Sequence, residues 1–167
     1  SITIPASVGT IGEYCFAGCS ALESVTYEDG STLKSIGNNA FDFCGSLKSI
    51  TIPASVETIG EYCFSVCSAL ESVTFEEGGE LSSIANYAFN WCSALQSITI
   101  PASVETIGEY CFYYCTALES VTFGEGSKLR SIAQNAFGEC PALKSITIPA
   151  SVETIGQSCF SYCYALE

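Results

Sequence analysis

Short alternating segments recur along the chain: Ser1–Ile4 reads SITI, Ser24–Tyr27 SVTY, Ser49–Ile52 SITI and Ser72–Phe75 SVTF. Their β-branched residues alternate with serine and threonine, the pattern of a strand with one face buried and one wet. Proline follows the strand at Pro5, Pro53, Pro101 and Pro149 and ends it, because proline has no N–H for the ladder. Further on, Ile11, Cys15, Phe16, Cys19 and Leu22 are apolar at spacings that suit a helix, over too short a stretch for more than one or two turns. The pattern predicts helical turns there, in part 3₁₀.

The whole pattern repeats. SITIPASV stands at Ser1, Ser49, Ser97 and Ser145, so the period is 48 residues, and each period splits into two similar units. The units are 1–23, 24–48, 49–71, 72–96, 97–119, 120–144 and 145–167, and they account for every residue. Units of 23 residues alternate with units of 25, whose two extra residues fall in loops such as EDGST before Leu33. A single unit has one strand and one turn and cannot bury its own apolar row, whereas stacked units can. The fold class expected is a β-rich solenoid. A parallel sheet runs up one face, short helical turns run up the other, and the rise is about 4.8 Å per unit.

Residues 47–70, LKSITIPASVETIGEYCFSVCSAL, carry a pattern that closely resembles the BspA-like leucine-rich repeats, and the resemblance covers all seven units. It implies a curved solenoid, surface-exposed or secreted, with some relatives acting as adhesins that bind host proteins. One departure is that the usual ladder asparagine is missing, and Ser7, Ser55, Ser103, Ser151, Gly30, Gly78 and Gly126 stand near its place.

The repeat also decides how the eleven cysteines are read. One column holds Cys19, Cys44, Cys67, Cys92, Cys115, Cys140 and Cys163; the other alternates Cys15, Ala40, Cys63, Ala88, Cys111, Ala136 and Cys159. Interchange with alanine marks a small buried side chain, and free cysteine packs as a small hydrophobe. Zinc favours paired Cys/His ligands gathered into a four-ligand set, and this chain has no histidine. Disulfides between neighbouring units stay open as an alternative, although an odd number of cysteines leaves one over. No metal and no cofactor is expected, and no catalytic constellation survives the repeat, so the chain is read as non-enzymatic. The loops YEDGSTL, FEEGGEL and FGEGSKL are sister loops rather than phosphate-binding motifs. Their carboxylates lie two units, about 10 Å, apart, too far to share one calcium ion.

Net charge is −13 with five cationic residues, which disfavours nucleic acid and anionic membranes. No apolar run approaches the ~20 residues of a membrane-spanning helix. The position before each strand runs Glu23, Lys48, Glu71, Gln96, Glu119, Lys144, Glu167, so neighbouring units never set two carboxylates side by side there. That favours stacking in register.

Two surfaces are candidates for binding. The sheet face presents Thr3, Thr26, Thr51, Thr74, Thr99, Thr122 and Thr147, a hydroxyl array suited to glycan contact. The variable position before the second cysteine carries Phe43, Val66, Trp91, Tyr114 and Tyr162, with Tyr113 beside it and Tyr14, Tyr62, Tyr87 and Tyr110 further round. An exposed aromatic stripe of this kind marks an interaction site. The first and last units look like interior ones, and the chain is read as a segment of a longer array. The expected function is a non-enzymatic extracellular or cell-surface repeat protein for adhesion or protein–protein interaction. The alternative is a structural block that assembles through its ends into a fibre or surface layer. Expected partners are an extracellular protein, further copies of the chain, or a glycan, with no nucleic acid and no membrane insertion.

Overall fold

The computed structural model describes residues 1–167 as a parallel β-solenoid of seven turns. The first strand of each turn is Ile2–Ile4, Val25–Tyr27, Ser49–Ile52, Ser72–Phe75, Ser97–Ile100, Ser120–Phe123 or Ser145–Ile146. These pair in parallel in the register the repeat demands, with Ile2 opposite Val25, Thr51 opposite Thr74 and Val121 opposite Ile146. Ser24 and Ser49 are joined by a single bridge where the first two strands meet the other five. A second sheet of seven two-residue strands runs from Thr10–Ile11 to Thr154–Ile155.

One core fills the space between these walls. It contains the strand isoleucines and valines, the leucines, the paired alanines and most of the cysteines. At its centre Phe16, Phe41, Phe64, Phe89, Phe112, Phe137 and Phe160 stack face to face, with centroids 5.1–5.6 Å apart. That spacing is close to the strand separation of about 4.8 Å, so the ring stack and the sheets share one repeat.

The third wall differs from expectation: it holds turns and no helix. The apolar spacing of EYCFSVC fits a helix, but the main chain spends its N–H groups elsewhere. Tyr62, Phe64 and Val66 donate to the carbonyls of Asn86, Ala88 and Asn90 in the next turn, while Ser65 and Cys67 close three-residue turns on Tyr62 and Phe64. Only 13 of the 89 main-chain hydrogen bonds lie within strands, so the ladder between turns continues through this wall. The alternation requires a left-handed residue twice per turn. One column is Tyr14, Asn39, Tyr62, Tyr87, Tyr110, Asn135 and Ser158; the other is Gly18, Phe43, Val66, Trp91, Tyr114, Glu139 and Tyr162, all with φ between 52° and 73°. A left-handed residue other than glycine costs roughly 1–2 kcal/mol. Each except Ser158 and Tyr162, in the last turn, gains one bond to the next turn, worth about 1 kcal/mol net, which offsets most of that cost.

The place of the missing asparagine ladder is taken by other side chains. Ser55, Ser103 and Ser151 donate Oγ–H to the carbonyls of Leu33, Leu81 and Ser127 at 2.8–3.0 Å. The cysteines do the same on the turn wall: Cys44, Cys67, Cys92, Cys115, Cys140 and Cys163 each donate S–H to the carbonyl of the phenylalanine one turn earlier, at 3.1–3.3 Å. This column therefore packs and bonds at once.

Three buried side-chain oxygens lack a partner: Asp42 Oδ1, Asn90 Oδ1 and the Tyr27 hydroxyl. The hydroxyl of Tyr27 is enclosed and makes no hydrogen bond, whereas the equivalent residues Phe75 and Phe123 have none to satisfy. A buried orphan hydroxyl costs about 1–3 kcal/mol. Tyr27→Phe is expected to stabilise the chain by about 1 kcal/mol, read as a rise in the urea midpoint at unchanged slope.

Candidate functional site

The turn wall carries the most continuous aromatic surface of the chain. Each left-handed residue points its side chain away from the core, and six aromatic rings form one connected network there. Tyr62, Tyr87 and Tyr110 stack nearly parallel, with centroids 4.5 and 5.0 Å apart. Tyr113 meets Tyr110 edge-on at 5.3 Å and lies 6.2 Å from Tyr114. Trp91 lies against Tyr114 at 3.9 Å, the closest ring pair in the molecule. Offset and edge-to-face pairs of this kind each contribute about 0.5–1.5 kcal/mol beyond area burial, so the rings support one another.

The expected stripe is thus gathered in part. Trp91, Tyr113 and Tyr114 join the network, and Val66 sits half-buried in the same column. Phe43 and Tyr162 are more than half exposed and touch none of the six rings. Tyr62, Tyr87 and Tyr110, placed further round in the sequence reading, are as much a part of the surface as Trp91. The clue to their position was Asn39 and Asn135 in the same column, since asparagine tolerates left-handed backbone. Nothing in the backbone asks for large aromatics at these positions; glycine or asparagine would sit there with less strain.

Charge sharpens the picture. Glu13, Asp42, Glu61, Glu109 and Glu139 lie on this wall and no cation does. Asn38 and Asn86 tie the acids into the ladder, donating to Glu13 and Glu61 and accepting from the N–H of Glu61 and Glu109. Burial, then the nearby Glu139 carboxylate, raises the Tyr113 hydroxyl above the ordinary tyrosine range. Burial followed by its tyrosine neighbours does the same for Tyr87.

The cations are all on other walls. Lys144 pairs with Glu119 at 2.6 Å, in the alternating column expected before the strands, while Lys48 makes no ion pair. A second alternating column went unread in the sequence: Lys34 bonds Glu57 at 2.5 Å, and Arg130 lies between Glu105 and Glu153 at 3.8 and 3.7 Å. The signal was present, since these residues stand one unit apart immediately before the short strands.

The threonine column is exposed on the sheet face, from Thr3 to Thr147. Its hydroxyls are partly committed to each other: Thr3 and Thr26 lie 2.9 Å apart and Thr99 and Thr122 2.8 Å apart. Eight of the eleven thiols are buried, and all are free. Burial pushes the thiols of Cys44 and Cys159 up to about 11, which makes them unreactive packing groups. No group of three or more His, Cys, Asp or Glu side chains is placed to hold a metal ion, and no helix is long and apolar enough to cross a membrane.

A family model described as the BspA type leucine rich repeat region matches residues 1–82 and 82–167. Three solved bacterial structures are similar. A leucine-rich repeat protein from Eubacterium ventriosum superposes with a TM-score of 0.81 at 29% identity, over 96% of this chain and 42% of that one. The pneumococcal vaccine antigen PcpA gives 0.78 at 29% identity, over 93% and 46%. A leucine-rich repeat protein from Bacteroides ovatus gives 0.73 at 32% identity, over 99% and 47%. The chain therefore spans less than half the length of each. No curated protein matches it in sequence.

Proposed function

This chain belongs to the BspA-type leucine-rich-repeat family, a non-catalytic repeat scaffold, and we propose that it is the binding module of an extracellular or cell-surface protein that docks a protein partner on the aromatic network of its turn wall. The observation that carries this reading is the six-ring network itself, mutually stacked, partly exposed and built, for all but Tyr113, on left-handed backbone that does not need it. Pre-ordered Tyr and Trp side chains supply contact area at low entropic cost and dominate protein interfaces. The acidic rim, without a cation among the rings, selects a partner whose contacting patch is basic or neutral. The pneumococcal neighbour is a vaccine antigen, and a surface location for this chain belongs to the same proposal. The threonine face ranks second, because its paired hydroxyls already bond each other and offer less to a glycan.

The substitution that tests this is asparagine rather than alanine, since asparagine accepts the left-handed backbone and isolates the loss of the ring. Trp91→Asn with Tyr114→Asn is expected to leave the unfolding midpoint within about 1 kcal/mol of the parent. The same pair should weaken binding to an extracellular protein by about 100-fold, the loss expected of two central aromatic anchors. The measurement is surface plasmon resonance of the immobilised chain and its double variant against a panel of purified extracellular and matrix proteins. A ligand that binds both forms equally would overturn the reading. Filaments seen by electron microscopy in both forms, with no ligand bound, would favour the structural building block instead.

A further inference from the structure

A second surface lies on the opposite edge of the sheet, and we propose that it is a separate binding site for an extended polypeptide carrying Lys or Arg at every third residue. It is built by the alternation of 23- and 25-residue units. The two extra residues raise the loops at 28–31, 76–79 and 124–127, which turn on Gly30, Gly78 and Gly126 at φ 70–76°. The units between have no such loop, so a notch opens beside each raised one. The first is floored by Pro53, Ala54 and Ser55, with a volume of about 240 Å³. The second is floored by Pro101, Ala102 and Ser103, about 540 Å³. The third is floored by Pro149, Ala150 and Ser151, about 640 Å³. Tyr27, Phe75 and Phe123 stand at the equivalent place in the three walls, and the second and third notches open onto the threonine column.

The polar groups divide into committed and free. The carboxylates of Glu28 and Glu76 accept the N–H of Ala6 and Ala54, and so belong to the fold. The next residue of each loop, Asp29, Glu77 or Glu125, is exposed and makes no hydrogen bond or ion pair. In the third loop glycine stands in place of the capping glutamate, and Ala102 approaches so closely that a Cβ at Gly124 would lie 2.8 Å from its nitrogen. Ala102 N–H is consequently left without a partner in the lining of the second notch. An unpaired main-chain donor between two uncommitted carboxylates matches a ligand with a carbonyl oxygen and cationic side chains. Two cations, Lys128 and Arg130, line a neighbouring cleft with Glu105 and Glu153.

The spacing names the ligand more closely. Raised loops recur every two turns, about 9.6 Å. A polyproline II chain advances about 3.1 Å per residue, or about 9.3 Å in three, and its main-chain carbonyls are all free. Residues i, i+3 and i+6 of such a chain therefore face Asp29, Glu77 and Glu125 in turn. The same spacing is too wide for those carboxylates to chelate one cation.

The test uses the full chain and fluorescein-labelled twelve-residue peptides of repeated Lys-Pro-Pro, with control peptides of identical composition whose lysines are clustered. Fluorescence anisotropy at low salt is expected to show the regular peptide binding about tenfold more tightly than the clustered one. Glu77→Gln and Glu125→Gln should each weaken it about threefold, and together on the order of tenfold, with unchanged circular dichroism. Trp91→Asn should leave it unaffected, which keeps this site distinct from the aromatic network. Equal affinity for regular and clustered peptides would overturn the proposal in favour of diffuse attraction. Absence of peptide binding, or saturable calcium binding lost in the double variant, would overturn it as well.

Discussion

Gly108→Ala is expected to destabilise the solenoid by about 3 kcal/mol, a large cost for one methyl group. Gly108 does not have positive φ, so backbone freedom is not the reason. The reason is space. A Cβ there would lie 2.6 Å from the carbonyl carbon of Ala85 and the nitrogen of Asn86, and 2.7 Å from Asn86 Oδ1. These are backbone and ladder atoms, held in place by the bond from Gly108 N–H to Ile84 and by the Asn86 cap on Glu109 N–H. A shift in either strains the bonds between the two turns, although the same column accommodates a Cβ at Ala85 and Ala133. The cost therefore falls at the upper end of the range for overpacking, about 1–3 kcal/mol. Gly60 and Gly156 face the turn below in the same way and should respond alike. Gly9 is the control, because no atom lies within 4 Å of its added Cβ. Gly9→Ala should be neutral or stabilising by a few tenths of a kcal/mol through the unfolded chain. Urea denaturation of the two variants beside the parent checks both, and equal midpoints for Gly108→Ala and the parent would refute the steric account.

Much of this architecture was legible in the residues, for a physical reason. Strand register was readable because SITI and SVTF repeat the same inward and outward residues, so only one register stacks Ile2 on Val25 and Val73 on Ile98. The phenylalanine column and the small columns beside it were readable as core for the same reason. The turn wall was misread as helical because hydrophobic spacing reports which side chains go inward and says nothing of where the N–H groups are spent. In EYCFSVC the buried positions Cys63, Phe64 and Cys67 suit a helix and this turn equally well. The decision rests on the neighbouring turn, which supplies acceptors at Asn86, Ala88 and Asn90. The binding surfaces were legible only in outline. Trp91 and Tyr114 fall in one visible column, but the stack of Tyr62, Tyr87 and Tyr110 depends on a left-handed residue that no apolar period reveals. The notches escaped because each is made by one unit's insertion and the next unit's lack of it.

The largest effect of all is expected at the middle of the ring stack. Phe89 is fully buried and lies 5.2 Å from Phe64 and 5.4 Å from Phe112. Phe89→Ala removes a buried ring from a site whose backbone is pinned on both sides, so the cavity cannot close. The expected loss is about 4 kcal/mol, against a total of roughly 5–15 kcal/mol for a domain of this kind. Phe89→Leu, which keeps most of the volume, should cost about 1.5 kcal/mol or less. In a solenoid each turn contacts only its neighbours, so a defect in the central turn also weakens the coupling between the two ends. The parent should unfold in one transition and Phe89→Ala in two. Trp91, the only tryptophan, lies two residues from the defect and reports on it directly by fluorescence, while circular dichroism follows the whole array. The fluorescence transition should move to lower urea first, carrying with it the Trp91–Tyr114 pair and any ligand bound there. The third notch, between residues 120 and 151, lies more than a turn away and should outlast it. Coincident transitions by both probes in Phe89→Ala would mean that the seven turns fold as a single unit, and that the aromatic surface draws its rigidity from the whole stack rather than from the turns beneath it.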